Sequence, residues 1–316
     1  MLDRHVLISV VVPLFNEEES APLLYGQLKN VLDSLNDLYE IIFVDDGSSD
    51  RTFNAARDIA EADPCLRVIK LRRNFGQTPA MAAGIDHSRG EIIITMDGDL
   101  QNDPMDIPQF VEEIQAGYDI VVGWRHNRKD KLITRKIPSR IANWLIGKVT
   151  GVPIKDNGCS LKAYRANVIK NVSLYSEMHR FIPAMANVTG ARIKEIKVRH
   201  HARQFGESKY GLSRIYKVLV DLAGISTIRS AMNAPVRWFA VFSAPFFLLG
   251  STILVAAIID QTSIDGEFSI ILAGTGLSFL SLSVSLLLNG VIVELLVRTG
   301  DVTMRDLMQN TLRISK

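Results

Sequence analysis

Apolar residues follow two regimes along this chain. Through the first 200 residues they come in short runs, and from Pro235 onward in two long stretches, one to about Ile259 and one from about Phe268 to Val297. In the first regime, His5 to Phe15 is a near-continuous β-branched and apolar run ending at Asn16. Three glutamates follow, then apolar residues at helical spacing through Leu35. This predicts a buried strand, a turn and a helix with an acidic first turn. Further strands are predicted at Glu40–Val44, Arg67–Leu71, Glu91–Met96 and Asp119–Val122, with helices from about Ser49 to Ala62 and Thr78 to His87. Repeated strand–helix units with unbroken apolar strands imply an α/β fold, a doubly wound, mainly parallel sheet covered on both faces. Ligands of such sheets bind beyond the carboxyl ends of the strands.

Each long stretch exceeds the roughly 20 apolar residues needed to cross a hydrocarbon core of about 30 Å. The only charges within them are Arg237 near the first start and Glu294 near the second end. Core helices seldom run so long without polar relief, so two transmembrane helices are expected. The gap Asp260–Glu267 is short and acidic, whereas Arg229 and Arg237 precede the first span and Arg298, Arg305, Arg313 and Lys316 follow the second. The positive-inside rule then puts the large domain and both termini on the cytoplasmic side of the inner (cell) membrane. Between Gly211 and Asn233, Leu212, Ile215, Tyr216, Leu219 and Leu222 recur at helical spacing with Arg214, Lys217 and Arg229 interleaved, predicting amphipathic juxtamembrane helices. The expected organisation is a catalytic domain over 1–210, juxtamembrane helices over 211–233, two spans with a short external loop over 234–298 and a cytoplasmic tail over 299–316. No signal-peptide pattern precedes the first strand, so insertion is expected to depend on the C-terminal helices.

Charge and cysteine content narrow the classes. Lys and Arg number 36 against 34 Asp and Glu, a net charge of +2, so no nucleic-acid partner is indicated. Cys65 and Cys159 have no CxxC spacing and read as reduced thiols.

Chemistry concentrates at three predicted strand ends. Met96-Asp97-Gly98-Asp99-Leu100-Gln101 places two alternate aspartates where a strand opens into a turn, a pattern of hard oxygen ligands suited to Mg²⁺ or Mn²⁺ bridging nucleotide phosphates. Aspartates also simply start turns. Two other polar endings, Val12-Pro13-Leu14-Phe15-Asn16-Glu17-Glu18 and Val44-Asp45-Asp46-Gly47-Ser48-Ser49-Asp50, argue for a shared edge with a shared task.

These segments resemble the nucleotide-sugar-binding core of inverting glycosyltransferases of family 2, which have a GT-A type fold. Asn74-Phe75-Gly76-Gln77, Asp97–Gln101, Gly123-Trp124-Arg125 and Arg203-Gln-Phe-Gly-Glu-Ser-Lys209 are similar to the dolichyl-phosphate mannose synthase branch and its bacterial polyprenyl-phosphate relatives, over residues 5 to 230. The resemblance implies that Pro13, Asn16 and Glu17 line the nucleotide pocket, that Asp46 reaches the base or ribose, and that Asp97, Asp99 and Gln101 hold metal and diphosphate. It implies that Arg125, Arg135 and Ser139 take the acceptor phosphate, and that Arg203 and Lys209 belong to a loop closing over the diphosphate. Asp156 matches a position often assigned as a base. A phosphate monoester is already anionic at neutral pH and needs little deprotonation, so an orienting role suits Asp156 better.

The expected activity is transfer of a hexose, glucose from UDP-glucose first, onto a polyprenyl phosphate such as undecaprenyl phosphate. A GDP-mannose or 4-amino-arabinose-type donor is the alternative, and a homo-oligomer of two or four protomers is expected. A processive polysaccharide synthase would carry a QxxRW motif, whereas Val236-Arg237-Trp238 lacks the glutamine. A non-catalytic scaffold would not need the acidic and basic clusters. Glu294 near Arg298 reads as a snorkelling pair, and the adjacent His200 and His201 point to opposite sides of a strand.

Overall fold

Burial on both faces explains the unbroken apolar strands. The computed structural model describes residues 6–126, 146–148, 151–172, 181–187, 190–202, 204–205, 234–262 and 269–299. The chain divides into two compact units, the first within residues 1–222 and the second within 223–306.

In the first unit, β1 (Ile8–Leu14), β2 (Tyr39–Asp45), β3 (Leu66–Lys70), β4 (Ile92–Thr95), β5 (Ile120–Arg125), β6 (Lys162–Arg165) and β7 (Ile193–Val198) form one sheet in the order β3-β2-β1-β4-β6-β5-β7. Only β6 runs against the others, pairing antiparallel with β4 and β5. Alternate residues of each strand enter two cores. Val10, Val12, Ile41, Phe43 and Ile94 meet α1 (Ser20–Ser34), α2 (Thr52–Ala62) and α4 (Ile107–Gln115). Val11, Ile42, Val44 and Ile93 meet α3 (Gln77–Asp86) and short helical turns at Ala166–Ile169 and Ile182–Asn187. This is the doubly wound, mainly parallel sheet the sequence predicts.

Three details differ from expectation. The glutamates Glu17–Glu19 stand before α1, whose first turn holds no acid. Their backbone is committed elsewhere: Glu17 N–H donates to Thr52 Oγ1 at 2.8 Å and Glu18 N–H to Asp50 Oδ2 at 3.3 Å, so the helix starts once these donors are spent. Helix α4 lies outside the predicted elements despite its Ile107, Phe110, Val111 and Ile114 spacing. Strands β6 and β7 were hidden because β6 begins with Lys162, a buried lysine whose Nζ donates to Asn157 O at 3.1 Å, and β7 is an edge strand of mixed polarity.

The second unit is a helical hairpin, α5 (Pro235–Thr262) and α6 (Ile270–Thr299). Stretches Pro235–Asp260 and Ile270–Leu296 are long and apolar enough to cross a membrane. Val241 is 72% exposed and Ile271 82%, an outward apolar surface that water would not tolerate and lipid would. The helices touch through glycine: a Cβ on Gly250 would meet Gly276 O at 2.8 Å, and one on Gly276 would meet Leu254 Cγ at 2.8 Å. Glu294 Oε2 accepts the Val236 N–H at 3.4 Å, at the first turn of α5, so this acid serves the start of the neighbouring span. The expected juxtamembrane helices over 211–233 and the tail over 299–316 lie outside the described residues, apart from Thr299 at the end of α6.

Candidate active site at the carboxyl edge of the sheet

The predicted site residues that are described stand in the last two residues of β1 and β5, just beyond the carboxyl ends of β1, β2 and β4, or in the loop leading into β6. The first two loops are stapled together. Asn16 takes a left-handed conformation (φ 54°), its N–H donates to Ser48 Oγ at 2.9 Å, and its Oδ1 accepts the Ser49 N–H at 2.9 Å. Asparagine tolerates that conformation because its short amide bonds locally. Glu17 accepts the Ser20 hydroxyl at 2.5 Å, and Pro13 is half-buried beside them. Asn16 and Glu17 thus join the loop after β1 to the loop after β2.

Asp46, buried, fixes the next loop. Its Oδ1 and Oδ2 accept the N–H groups of Phe75 and Gly76, each at 2.8 Å. Burial raises its pKa above the ordinary aspartate value despite these bonds, and neighbouring Asp45 adds to the rise. Asp45 is itself fully buried, and its Oδ2 has no hydrogen-bond partner. Gly47 (φ 67°) makes the turn possible, since a Cβ there would lie 2.3 Å from the Arg73 carbonyl carbon.

Asp97 and Asp99 flank Gly98, where a Cβ would collide with Leu14 Cδ2 at 2.4 Å, so the glycine lets β1 pack against the acidic turn. Asp97 Oδ1 accepts from Gln77 Nε2 at 2.5 Å, and Asp99 Oδ1 from the Gln101 N–H at 3.2 Å. Leu100 between them has φ 60°, a conformation costing about 1–2 kcal/mol for a residue with a Cβ. Such strain is kept where surroundings over-determine it. Gln101 is held by His201, whose N–H donates to Gln101 O at 2.9 Å while Gln101 Nε2 reaches His201 O at 3.5 Å. That leaves the amide oxygen as the end Gln101 can offer a cation. His200 bridges Asn102, His201 pairs with Asp103 at 3.1 Å and Arg199 with Asp106 at 3.2 Å.

Arg125 and Asp156 form a bidentate pair, Nε to Oδ2 at 2.7 Å and Nη2 to Oδ1 at 2.9 Å, with the Arg125 N–H also donating to Oδ2 at 3.3 Å. Burial works against the guanidinium charge, but Asp156 outweighs it and raises the Arg125 pKa, with Asp97 contributing. Sequence reasoning gave these two residues separate tasks, and the structure joins them in one ion pair. Arg135, Ser139, Arg203 and Lys209 lie outside the described residues. Residues the sequence reading left without a role include Gln77, Lys162, and Asn102, whose Nδ2 donates to Ser160 Oγ at 2.7 Å and ties the acidic turn to the Asp156 loop. Gln77 alone carried a signal, as the last residue of the Asn74–Gln77 motif.

The donor set fits a divalent cation shared with phosphate. Among the described residues no group of three or more His, Cys, Asp or Glu could hold a metal by itself. Two carboxylates on a turn, with an amide oxygen, are instead what Mg²⁺ accepts when substrate phosphates complete its shell.

Comparison with known proteins agrees with this geometry. Residues 9–173 match the model of glycosyl transferase family 2. The chain is 44% identical over 297 residues to the dodecaprenyl-phosphate galacturonate synthase of Rhizobium johnstonii, covering 92% of this chain and 88% of the relative. It is 39% identical over 264 residues to the undecaprenyl-phosphate 4-deoxy-4-formamido-L-arabinose transferase of Edwardsiella ictaluri, covering 83% and 79%. In fold it is similar to the glucosyl-3-phosphoglycerate synthase of Mycobacterium tuberculosis, solved with Mn²⁺ and UDP-glucose, with a TM-score of 0.54 over 71% of this chain and 79% of that one at 17% identity. A sheet of GT-A type, an acidic turn at its carboxyl edge and two apolar C-terminal helices thus coincide with the names of these relatives: the chain is an enzyme of glycosyl transferase family 2, one of the polyprenyl-phosphate glycosyltransferases.

Proposed function

We propose that this enzyme transfers a glycosyl group from a UDP-sugar to undecaprenyl phosphate or a close polyprenyl homologue at the cytoplasmic face of the membrane, with inversion at the anomeric carbon. One lipid phosphate oxygen forms the new bond to that carbon, the bond to the diphosphate breaks, and UDP leaves with the electron pair. The observation that carries the reading is the convergence of Asp97 and Asp99 with the Arg125–Asp156 pair on one sheet edge.

Asp97, Asp99 and the Gln101 amide oxygen would hold the divalent cation, whose charge supplies stabilisation for the leaving diphosphate. Arg125 aims its remaining donors at the incoming lipid phosphate. Asp156 holds that planar, permanently charged guanidinium in one orientation, so it acts through Arg125 instead of as a base. Acceleration comes from positioning two anionic partners that would otherwise repel. Arg135 and Ser139 extend the acceptor site, and Arg203 and Lys209 cover the diphosphate.

Glucose was the first expectation for the sugar. The relatives shift the preference toward galacturonate, with a 4-formamido-arabinose type next, because the chain shares 44% and 39% identity with enzymes so named. Transfer to undecaprenyl phosphate in detergent with Mn²⁺ or Mg²⁺, comparing UDP-galacturonate, UDP-glucose, the formamido-arabinose donor and GDP-mannose, decides it. A lipid-linked product from one donor, absent with Asp99→Ala, is expected. Folded protein that binds UDP yet makes no lipid product from any donor would refute the acceptor class.

A further inference from the structure

Gln77 is the first residue of α3, and its amide links the Asp46 loop to the acidic turn. Its position is unusually well determined. The two residues before it are pinned by both oxygens of Asp46, and the loop backbone at Arg73–Asn74 sits against Gly47 with no room for a Cβ between them. Gly76, the residue before the helix, has φ 102°, which fixes the angle at which α3 begins. Gln77 Nε2 then donates to Asp97 Oδ1 at 2.5 Å, between half-buried side chains where a hydrogen bond to a carboxylate is stronger than in water.

We infer that Gln77 is a positioning residue: it fixes the orientation of the Asp97 carboxylate toward the metal–diphosphate and joins that carboxylate rigidly to the nucleotide-facing loop held by Asp46. The inference rests on the proposed metal role of Asp97. A carboxylate on a turn can rotate about its Cα–Cβ and Cβ–Cγ bonds, and a cation that takes few protein ligands depends on each one being held in place. Outer partners of metal ligands commonly carry 10–100-fold of the affinity. Because Asp46 holds the loop through backbone N–H groups, the amide is preset before metal arrives.

Mn²⁺ binding to the full-length, detergent-solubilised protein in saturating UDP, read from the electron paramagnetic resonance of free Mn²⁺, tests this. Gln77→Met keeps the length of the side chain and removes the donor. Gln77→Asn keeps an amide but withdraws it by about 1.5 Å, the length of one C–C bond, beyond hydrogen-bond reach. Both are expected to weaken Mn²⁺ at least about tenfold, with an unchanged unfolding midpoint and unchanged binding of uridine, which carries no phosphate. Asp97→Ala in parallel separates the two levels of the argument. If Asp97→Ala abolishes Mn²⁺ binding while both Gln77 variants stay within twofold of wild type, the positioning role is wrong and the metal role stands. If Asp97→Ala also leaves Mn²⁺ binding intact, the metal role falls and the inference with it.

Discussion

The two edges of the sheet both bury acids, and they treat them in opposite ways. At the amino edge, Glu40 accepts from Ser9 Oγ at 2.7 Å, Arg67 Nη1 at 2.8 Å and the Arg89 N–H at 2.6 Å. Burial alone would raise its pKa, yet these donors outweigh burial and lower it. At the carboxyl edge, Asp46 has two backbone donors, burial wins, and the pKa rises. Asp45, Asp46, Asp97, Asp99 and Asp156 gather there, and Asp156 pairs with Arg125 at 2.7 Å. The amino edge closes its own electrostatics. The carboxyl edge instead gathers five aspartates, and a diphosphate would approach those carboxylates with a cation between them.

The sharpest way to break this contrast is to remove one acid from each edge. Asp99→Ala is expected to lower kcat/KM about 10⁴-fold, roughly 5 kcal/mol of transition-state stabilisation, with the unfolding midpoint held or raised. Radiolabelled sugar transfer and calorimetry check the two halves. Arg125→Met should reach both function and fold. It leaves Asp156 buried without its cation, a cost of about 3 kcal/mol in urea unfolding, and adding Asp156→Leu should recover most of the stability and none of the transfer.

Glu40→Gln is expected to cost about 2 kcal/mol of stability with donor KM unchanged. The folded-state pKa of Glu40 is depressed, so its contribution is fully present above its ordinary value of 4.5 and fades as pH falls through the lower folded value. The gap between wild type and variant should therefore be constant from pH 7 to 5 and shrink below pH 4.5. Asp46 has the opposite sign: its raised pKa relieves the fold as acid protonates it. If Glu40→Gln slowed transfer as severely as Asp99→Ala, the division between the edges would fail. The smallest effect is expected for His201→Ala, which removes an exposed pair with Asp103 worth under about 1 kcal/mol of stability and should show as a few-fold rise in donor KM.

Much of this was legible in the chain. Strands buried on both faces leave continuous apolar runs, so β1, β2, β4 and β5 could be read directly, and so could the polar residues at their ends. Helix α1 was misjudged at its start because a run of glutamates looks like an acidic first turn whether or not a neighbouring loop has claimed their backbone. Lys162 hid β6, since a buried lysine contradicts every pattern a strand is recognised by. The pairing of Arg125 with Asp156, residues 31 apart, depends on β6 returning beside β5, and no local spacing encodes that. Gln77 was visible as part of a motif, but its role needs the distance to Asp97.

The reversed direction of β6 sends the chain back to the rim it left. Because β5 leaves the sheet at Arg125 and β6 re-enters beside Val122 at Lys162, the chain between them departs from and returns to the same rim. The loop 156–161 that leads into β6 therefore stands at the same rim as Arg125, so the antiparallel strand brings a distant stretch of chain to the site. A substitution in that loop reaches Arg125 through Asp156 and the acidic turn through Ser160, which accepts from Asn102 Nδ2 at 2.7 Å.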